Sequence, residues 1–144
     1  MRILGIDYGD SRTGIAISDP LGYTAQPLET VYNQNNEALV IEKIIELTKR
    51  DNITTIVFGY PVNMNGTIGP KGEQVLRLIE TLESALAENN ITGIEIIKRD
   101  ERLTSVIANK AMSEMGIKKK NKKKLVDRLA AIEILQGYLD AEKD

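Results

Sequence analysis

At 144 residues, with 42% hydrophobic and 28% charged residues, the chain has the size and composition of one globular domain, 1–144, with a substantial core. It contains no cysteine and no histidine, which excludes disulfide frameworks, thiolate or imidazole metal sites, and Ser-His or Cys-His nucleophiles. The formal charge is −2, so the molecule as a whole is not drawn to polyanions, although "KKKNKKK" at 118–124 is a dense local patch of positive charge.

The elements follow in chain order. Residues 2–7 and 13–19 read as strands joined by a tight connection, and "TAQPLETVY" as a third strand at a sheet edge, because Pro27 cannot donate to a ladder. Residues 36–50 read as a helix, with Leu39, Ile41, Ile44, Ile45 and Leu47 at helical spacing. "ITTIVFGYP" over 53–61 is a buried type of strand. A second helix covers 70–89, with Val75, Leu76, Ile79, Leu82 and Leu86 as its stripe. "GIEIIKRD" over 93–100 is a strand, and helices follow over about 103–115 and 123–140. The order β-β-β-α-β-α-β-α-α predicts one mixed α/β sheet. Its first three strands form an antiparallel meander, its later strands are parallel, and helices cover its faces. Ligands on such sheets sit beyond the carboxyl ends of the parallel strands. No stretch has the length of a membrane span and "MRILGID" is too short for a signal peptide, so a cytoplasmic protein with no membrane partner is expected.

The first strand, "ILGID", ends on a carboxylate. By the period of two, Asp7 shares a face with Ile3 and Gly5, and the missing Gly5 side chain leaves space close to the acid. Turn preference alone would make Asp7 a simple turn starter. The last helix weighs against that. Stepping 100° per residue sets Asp127 beside Ala131, Ile134 and Tyr138, a face suited to packing on the sheet, where an ionised carboxylate is costly unless paired or bound to a metal. "KRDER" at 98–102 supplies a third acid. Asp100 and Glu101 point to opposite faces, so one of them joins Asp7. Glu101 has the longer reach and Asp100 suits a helix cap, which favours Glu101 and keeps Asp100 as the alternative. Carboxylates from two strand ends and one helix suit a hard cation, Mg²⁺ or Mn²⁺. Two such ions ~4 Å apart hold the attacking water and leaving oxygen of a phosphoryl displacement, with no histidine needed.

"GIDYGDSRTGIAISD", "VFGYPVNMNGTIGP", "RDERLTS" and "VDRLAAIEILQGYL", in that order and spacing, closely resemble the YqgF family. These are Holliday-junction-resolvase-like proteins with an RNase H-like fold, also described as pre-16S rRNA nucleases. The resemblance covers nearly the whole chain. It implies a five-stranded mixed sheet and a metal-dependent nuclease that matures the 5′ end of 16S rRNA. The family's acids fall on Asp7, the Asp100–Glu101 pair and Asp127.

Other features suit phosphate. Asn63, Asn65 and Gly66, in the loop after a central strand, carry donors for a phosphate or base, and Arg12 and Arg102 carry charge for backbone phosphate. Each is also an ordinary surface residue type. The run Lys118, Lys119, Lys120, Lys122, Lys123 and Lys124 precedes or opens the helix of Asp127, where cations oppose the helix dipole. The expectation is a segment that is mobile when free and settles on a nucleic-acid backbone, against the common fate of such runs as solvated charge. Aromatic residues make up only 4%, so no base-stacking platform is expected. RNA of the pre-ribosome is the expected partner. The competing readings are a nuclease on branched DNA, which needs a dimer, a non-catalytic RNA-binding assembly factor, and nucleotide hydrolysis. "GIDYGDSRTG" also looks like the opening of actin- and hexokinase-like ATPases, but those close two such domains around the nucleotide. The sequence leaves the oligomeric state open.

Overall fold

The computed structural model describes residues 2–63, 65–100 and 119–142, the side chains of 119–128 excepted. The elements are β1 (Arg2–Asp7), β2 (Thr13–Ser18), β3 (Ala25–Val31), α1 (Glu37–Arg50), β4 (Ile53–Tyr60), α2 (Pro70–Glu88), β5 (Glu95–Asp100) and α3 (Lys119–Glu142). The expected helix over 103–115 falls outside the described residues. Among the described residues, no helix is long and apolar enough to cross a membrane.

The five strands make one sheet in the order β3-β2-β1-β4-β5. β1, β2 and β3 pair antiparallel, while β1, β4 and β5 pair parallel, so the expected meander and parallel half are both present. β3 lies at one edge. Its register shifts between Ile15 and Ala16 of β2, and Pro27 stands opposite Ala16, where the ladder is already broken and a missing N–H costs least.

Strand alternation splits the core in two. Leu4, Ile6, Ile15, Ile17, Ile56 and Phe58 face α1 and α2. Ala16 and Val57 face the other way, against Ala131, Ile134, Leu135 and Leu139 of α3. α1 starts where Asn36 caps it, its side chain accepting from Ala38 N–H at 3.1 Å, and it ends on Lys49 and Arg50, which suit the dipole. Its buried face is Val40, Ile41, Ile44, Ile45, Leu47 and Thr48. Leu39, expected on that stripe, is 40% exposed, because Val40 takes the inward position in the first turn. On α2 the inward residue is likewise Leu78, with Leu76 half-buried.

Two expectations about the final layer change. α3 extends back to Lys119, so five of the six clustered lysines lie in helix. Lysine is a good helix former, and a helix anchored by its packed C-terminal half propagates one hydrogen bond per residue toward its start. The space beside Gly5 is also not free. A Cβ on Gly5 would lie 2.7 Å from Leu135 Cβ and 3.1 Å from the Ala131 carbonyl oxygen. The glycine admits the backbone of α3 rather than a ligand.

Gly5→Ala is therefore expected to force α3 off the sheet and destabilise the fold by about 1–3 kcal/mol. Urea denaturation should show a lower midpoint; an unchanged midpoint would mean that the helix yields at no cost.

Candidate active site at the carboxyl rim of the sheet

Asp7 is the last residue of β1, the middle strand. It pairs with Gly14 of β2, which pairs with Thr30 of β3. On the other side the register runs through Ile6–Phe58, so Gly59 of β4 is level with Asp7. Gly14 and Gly59 thus flank the carboxylate, and Gly5 precedes it on the same face. No Cβ from either neighbouring strand crowds it. Ile6 faces α1 and α2, so alternation turns Asp7 toward the α3 side.

The direction of α3 follows from its far end. Burial pushes the Tyr138 phenol up, and the nearby charges of Glu142 and Glu95 add to this. Glu95 opens β5, so the C-terminal part of α3 lies over the amino ends of the parallel strands. Stepping back along α3 leads toward their carboxyl ends. Ala131 abuts Gly5, and position 127 is one turn earlier on the same stripe. The backbone thus carries the Asp7 and Asp127 positions toward one rim, from opposite directions in the chain. The side chain of Asp127 is not among those described.

The register also separates the two acids after β5. Asp100 pairs with Tyr60, whose ring packs toward the α1 and α2 core, and Lys98 lies over that ring at 5.4 Å. Arg99, between them, turns the other way: its guanidinium sits where a Cβ on Gly137 of α3 would come within 2.8 Å. Asp100 is therefore on the face opposite Asp7. Glu101, Arg102 and Lys118 lie outside the described residues.

The turn after Asp7 is held by a residue that carries no signal in the sequence. Asn33 is fully buried. Its Nδ2 donates to the carbonyls of Gly9 at 3.0 Å and Asp10 at 2.9 Å, and its Oδ1 accepts from Thr13 Oγ1 at 3.1 Å. Backbone bonds from Gln34 N–H to the Ser11 carbonyl and from Asn35 N–H to the Asp10 carbonyl complete the clamp. Gln34 and Asn35 both adopt positive φ to make this reach. The turn itself closes so tightly that a Cβ on Gly9 would collide with the Arg12 carbonyl oxygen. The placement of Asp7 and of the half-buried Arg12 thus depends on an asparagine more than twenty residues away. Next to Asp7, Tyr8 turns inward. Burial first, then Glu37 and Asp10, push its phenol up against the opposing effect of Arg77, so it stays protonated at neutral pH.

The loop after β4 opens at the same rim. Asn63 and Asn65 spend polar atoms on folding it: Asn63 Nδ2 donates to Thr67 Oγ1 at 3.0 Å, and Asn65 Oδ1 accepts from Thr67 N–H at 3.1 Å and Oγ1 at 2.7 Å. Gly66 N–H donates to the Asn63 carbonyl at 2.8 Å, with Gly66 at φ +86°. Asn63, Asn65 and Gly66 remain exposed, but these donors already have partners inside the loop.

Among the described residues no three metal-ligating side chains gather. The donor chemistry nevertheless fits a hard divalent cation. Asp7 is a carboxylate and the chain has no histidine or cysteine, which is donor chemistry of the kind that Mg²⁺ and Mn²⁺ prefer.

The sheet order, the meander and the helices on both faces define an RNase H-like fold of the resolvase type. The chain aligns with Thermus thermophilus RuvC bound to a Holliday junction at a TM-score of 0.59, over 99% of this chain and 96% of that one, with 13% identity. It aligns with the fowlpox virus resolvase in complex with Holliday junction DNA at 0.57, over the full length of both, with 14% identity. At sequence level, residues 1–141 match the family described as "RuvX: Holliday junction resolvase", and the chain belongs to that family. A relative from Acetivibrio thermocellus named "Putative pre-16S rRNA nuclease" is 52% identical over 142 residues, 99% of this chain and 97% of the relative. One of the same name from Ruminiclostridium cellulolyticum is 50% identical over 140 residues, 97% of this chain and 94% of the relative.

Asn33→Ala would leave the Gly9 and Asp10 carbonyls without their buried partner, a cost of about 1–3 kcal/mol. Urea denaturation should show that loss, and hydrogen exchange should rise in the turn over residues 8–12. Wild-type stability with an unchanged turn would remove Asn33 from this role.

Proposed function

We propose that this protein is a nuclease that hydrolyses phosphodiester bonds with divalent cations, and that it matures the 5′ end of 16S rRNA in the cytoplasm. One observation carries the reading. Asp7 ends the middle strand of an RNase H-like sheet, framed by glycines, on the face where α3 carries position 127 toward the same rim. The names of relatives at about half identity favour pre-rRNA as the substrate.

The chain has no histidine to act as general base. Mg²⁺ or Mn²⁺, as a pair of ions held by Asp7, Glu101 and Asp127, would supply the acidified water and the charge neutralisation that phosphoryl transfer requires. The chain's own groups fix the geometry. Asp7 is set by the sheet ladder and by the Asn33 clamp on its turn, so its carboxylate is presented with little freedom to lose. The register favours Glu101 over Asp100 as the ligand after β5, since Asp100 lies on the other face.

Arg12 and Arg102 are proposed to bind backbone phosphate, as are the exposed outer faces of Asn63, Asn65 and Gly66. Lys118, Lys119, Lys120, Lys122, Lys123 and Lys124 are proposed to grip the RNA backbone. Lys119, Lys120, Lys122, Lys123 and Lys124 open α3, where cations oppose the dipole by about 0.3–1 kcal/mol each, a strain that a bound polyanion relieves.

Asp7→Asn should abolish Mn²⁺-dependent cleavage of a pre-16S rRNA fragment while RNA affinity and unfolding midpoint stay near wild type. Cleavage at the wild-type rate would overturn the metal assignment. No cleavage by the wild type, with tight RNA binding, would leave an assembly factor. Changing the six lysines to Gln should weaken RNA binding and flatten its logarithmic salt dependence by roughly 0.7 for each phosphate no longer neutralised; an unchanged slope would return the run to plain solvated charge.

The family description favours a second reading, a resolvase of branched DNA built on the same acids. Symmetric junction cleavage needs two sites at fixed spacing. A stable dimer that cuts four-way junctions faster than RNA would support it, and a monomer that does not cut them would end it.

A further inference from the structure

Tyr32 is 53% exposed although it follows β3 directly and precedes the fully buried Asn33. Val31 packs toward the α1 and α2 core, and Asn33 turns inward to clamp the turn after Asp7. Alternation puts Tyr32 on the other side, the side that Asp7 faces. The distance follows from the register. Thr30, Gly14 and Asp7 form one row across three strands, and Tyr32 lies two residues beyond Thr30. Strand spacing and rise set it roughly 12 Å from Asp7. That is the reach of a nucleotide flanking the scissile phosphate.

Tyr32 is also held firmly: Val31 is in the ladder with Thr13, and Asn33 is fixed by three hydrogen bonds. An exposed aromatic ring on a rigid support loses little entropy when something stacks on it. Every base offers a π-face to such a ring, whereas a base inside a duplex is already stacked and out of reach.

We propose that Tyr32 is a stacking platform for an unpaired base beside the cleaved phosphate, so that this site takes single-stranded RNA. The proposal rests on the nuclease reading above and sharpens its substrate class. It departs from the expectation, drawn from the low aromatic content, of no stacking platform: one well-placed ring suffices for one base.

The test uses the full-length protein in EDTA, so that binding is read without cleavage. The probe is a short single-stranded RNA carrying a fluorescent purine analogue, compared with its own duplex. Tyr32→Ala should weaken single-strand binding roughly 5- to 150-fold, the loss of one base stack, and abolish quenching of the analogue. Duplex binding should not change. Tyr32→Phe should keep wild-type affinity and quenching. The stack is overturned if Tyr32→Ala binds single strands like wild type, if single strand and duplex lose equally, or if Tyr32→Phe fails as Ala does. In a parallel Mn²⁺ cleavage assay, Tyr32-dependent quenching without wild-type cleavage keeps the stack and overturns the nuclease. Normal cleavage with no Tyr32 effect overturns the stack alone, and a wild type that binds no RNA overturns both.

Discussion

The contact on which the arrangement turns is the approach of the α3 backbone to Gly5. The middle strand of the sheet offers no side chain there, so Ala131 and Leu135 settle directly on its backbone. This fixes the height and the crossing point of the helix at once. It also sets where the preceding turn of α3 arrives, and therefore how an acid near residue 127 stands relative to an acid at residue 7. A larger residue at position 5 would shift the whole layer, because close-packed interiors pass on displacement rather than absorb it.

Carboxylates alone can run hydrolytic chemistry only if something else lowers the cost of their gathering. Like charges brought to one rim repel, and burial raises the cost further. A divalent cation reverses that balance. The glycines level with Asp7 on both neighbouring strands put no side chain beside the carboxylate. The clamp from Asn33 serves the same end from the other side of the sheet. It spends a buried polar side chain on a turn that would otherwise be free to move.

Much of the architecture is legible from residue pattern. Strand ends, the edge position of the Pro27 strand and the two helical stripes follow from local periodicity, which survives in the folded chain. What pattern does not supply is whatever depends on register between distant segments. Leu39 lies within the apolar arc of α1 by angle, yet its exposure depends on how far that helix's first turn overhangs the sheet. The choice between Asp100 and Glu101 stays open in the sequence because alternation separates their faces without saying which face is which. The β4–β5 register, read against Tyr60 and Arg99, puts Asp100 away from Asp7. Asn33 gives no signal, since "YNQNN" reads as an ordinary polar loop. The gap beside Gly5 is real, but a helix backbone fills it and not a ligand.

The central claim is that the rim at Asp7 binds a divalent ion through carboxylates from separate elements. Anomalous scattering from crystals soaked in Mn²⁺ tests it most directly. The account predicts a peak bonded to the Asp7 carboxylate, with oxygen from Asp127 and from the segment just after β5 completing the shell. A peak elsewhere on the molecule, or one at Asp7 that neither of those partners reaches, would contradict it.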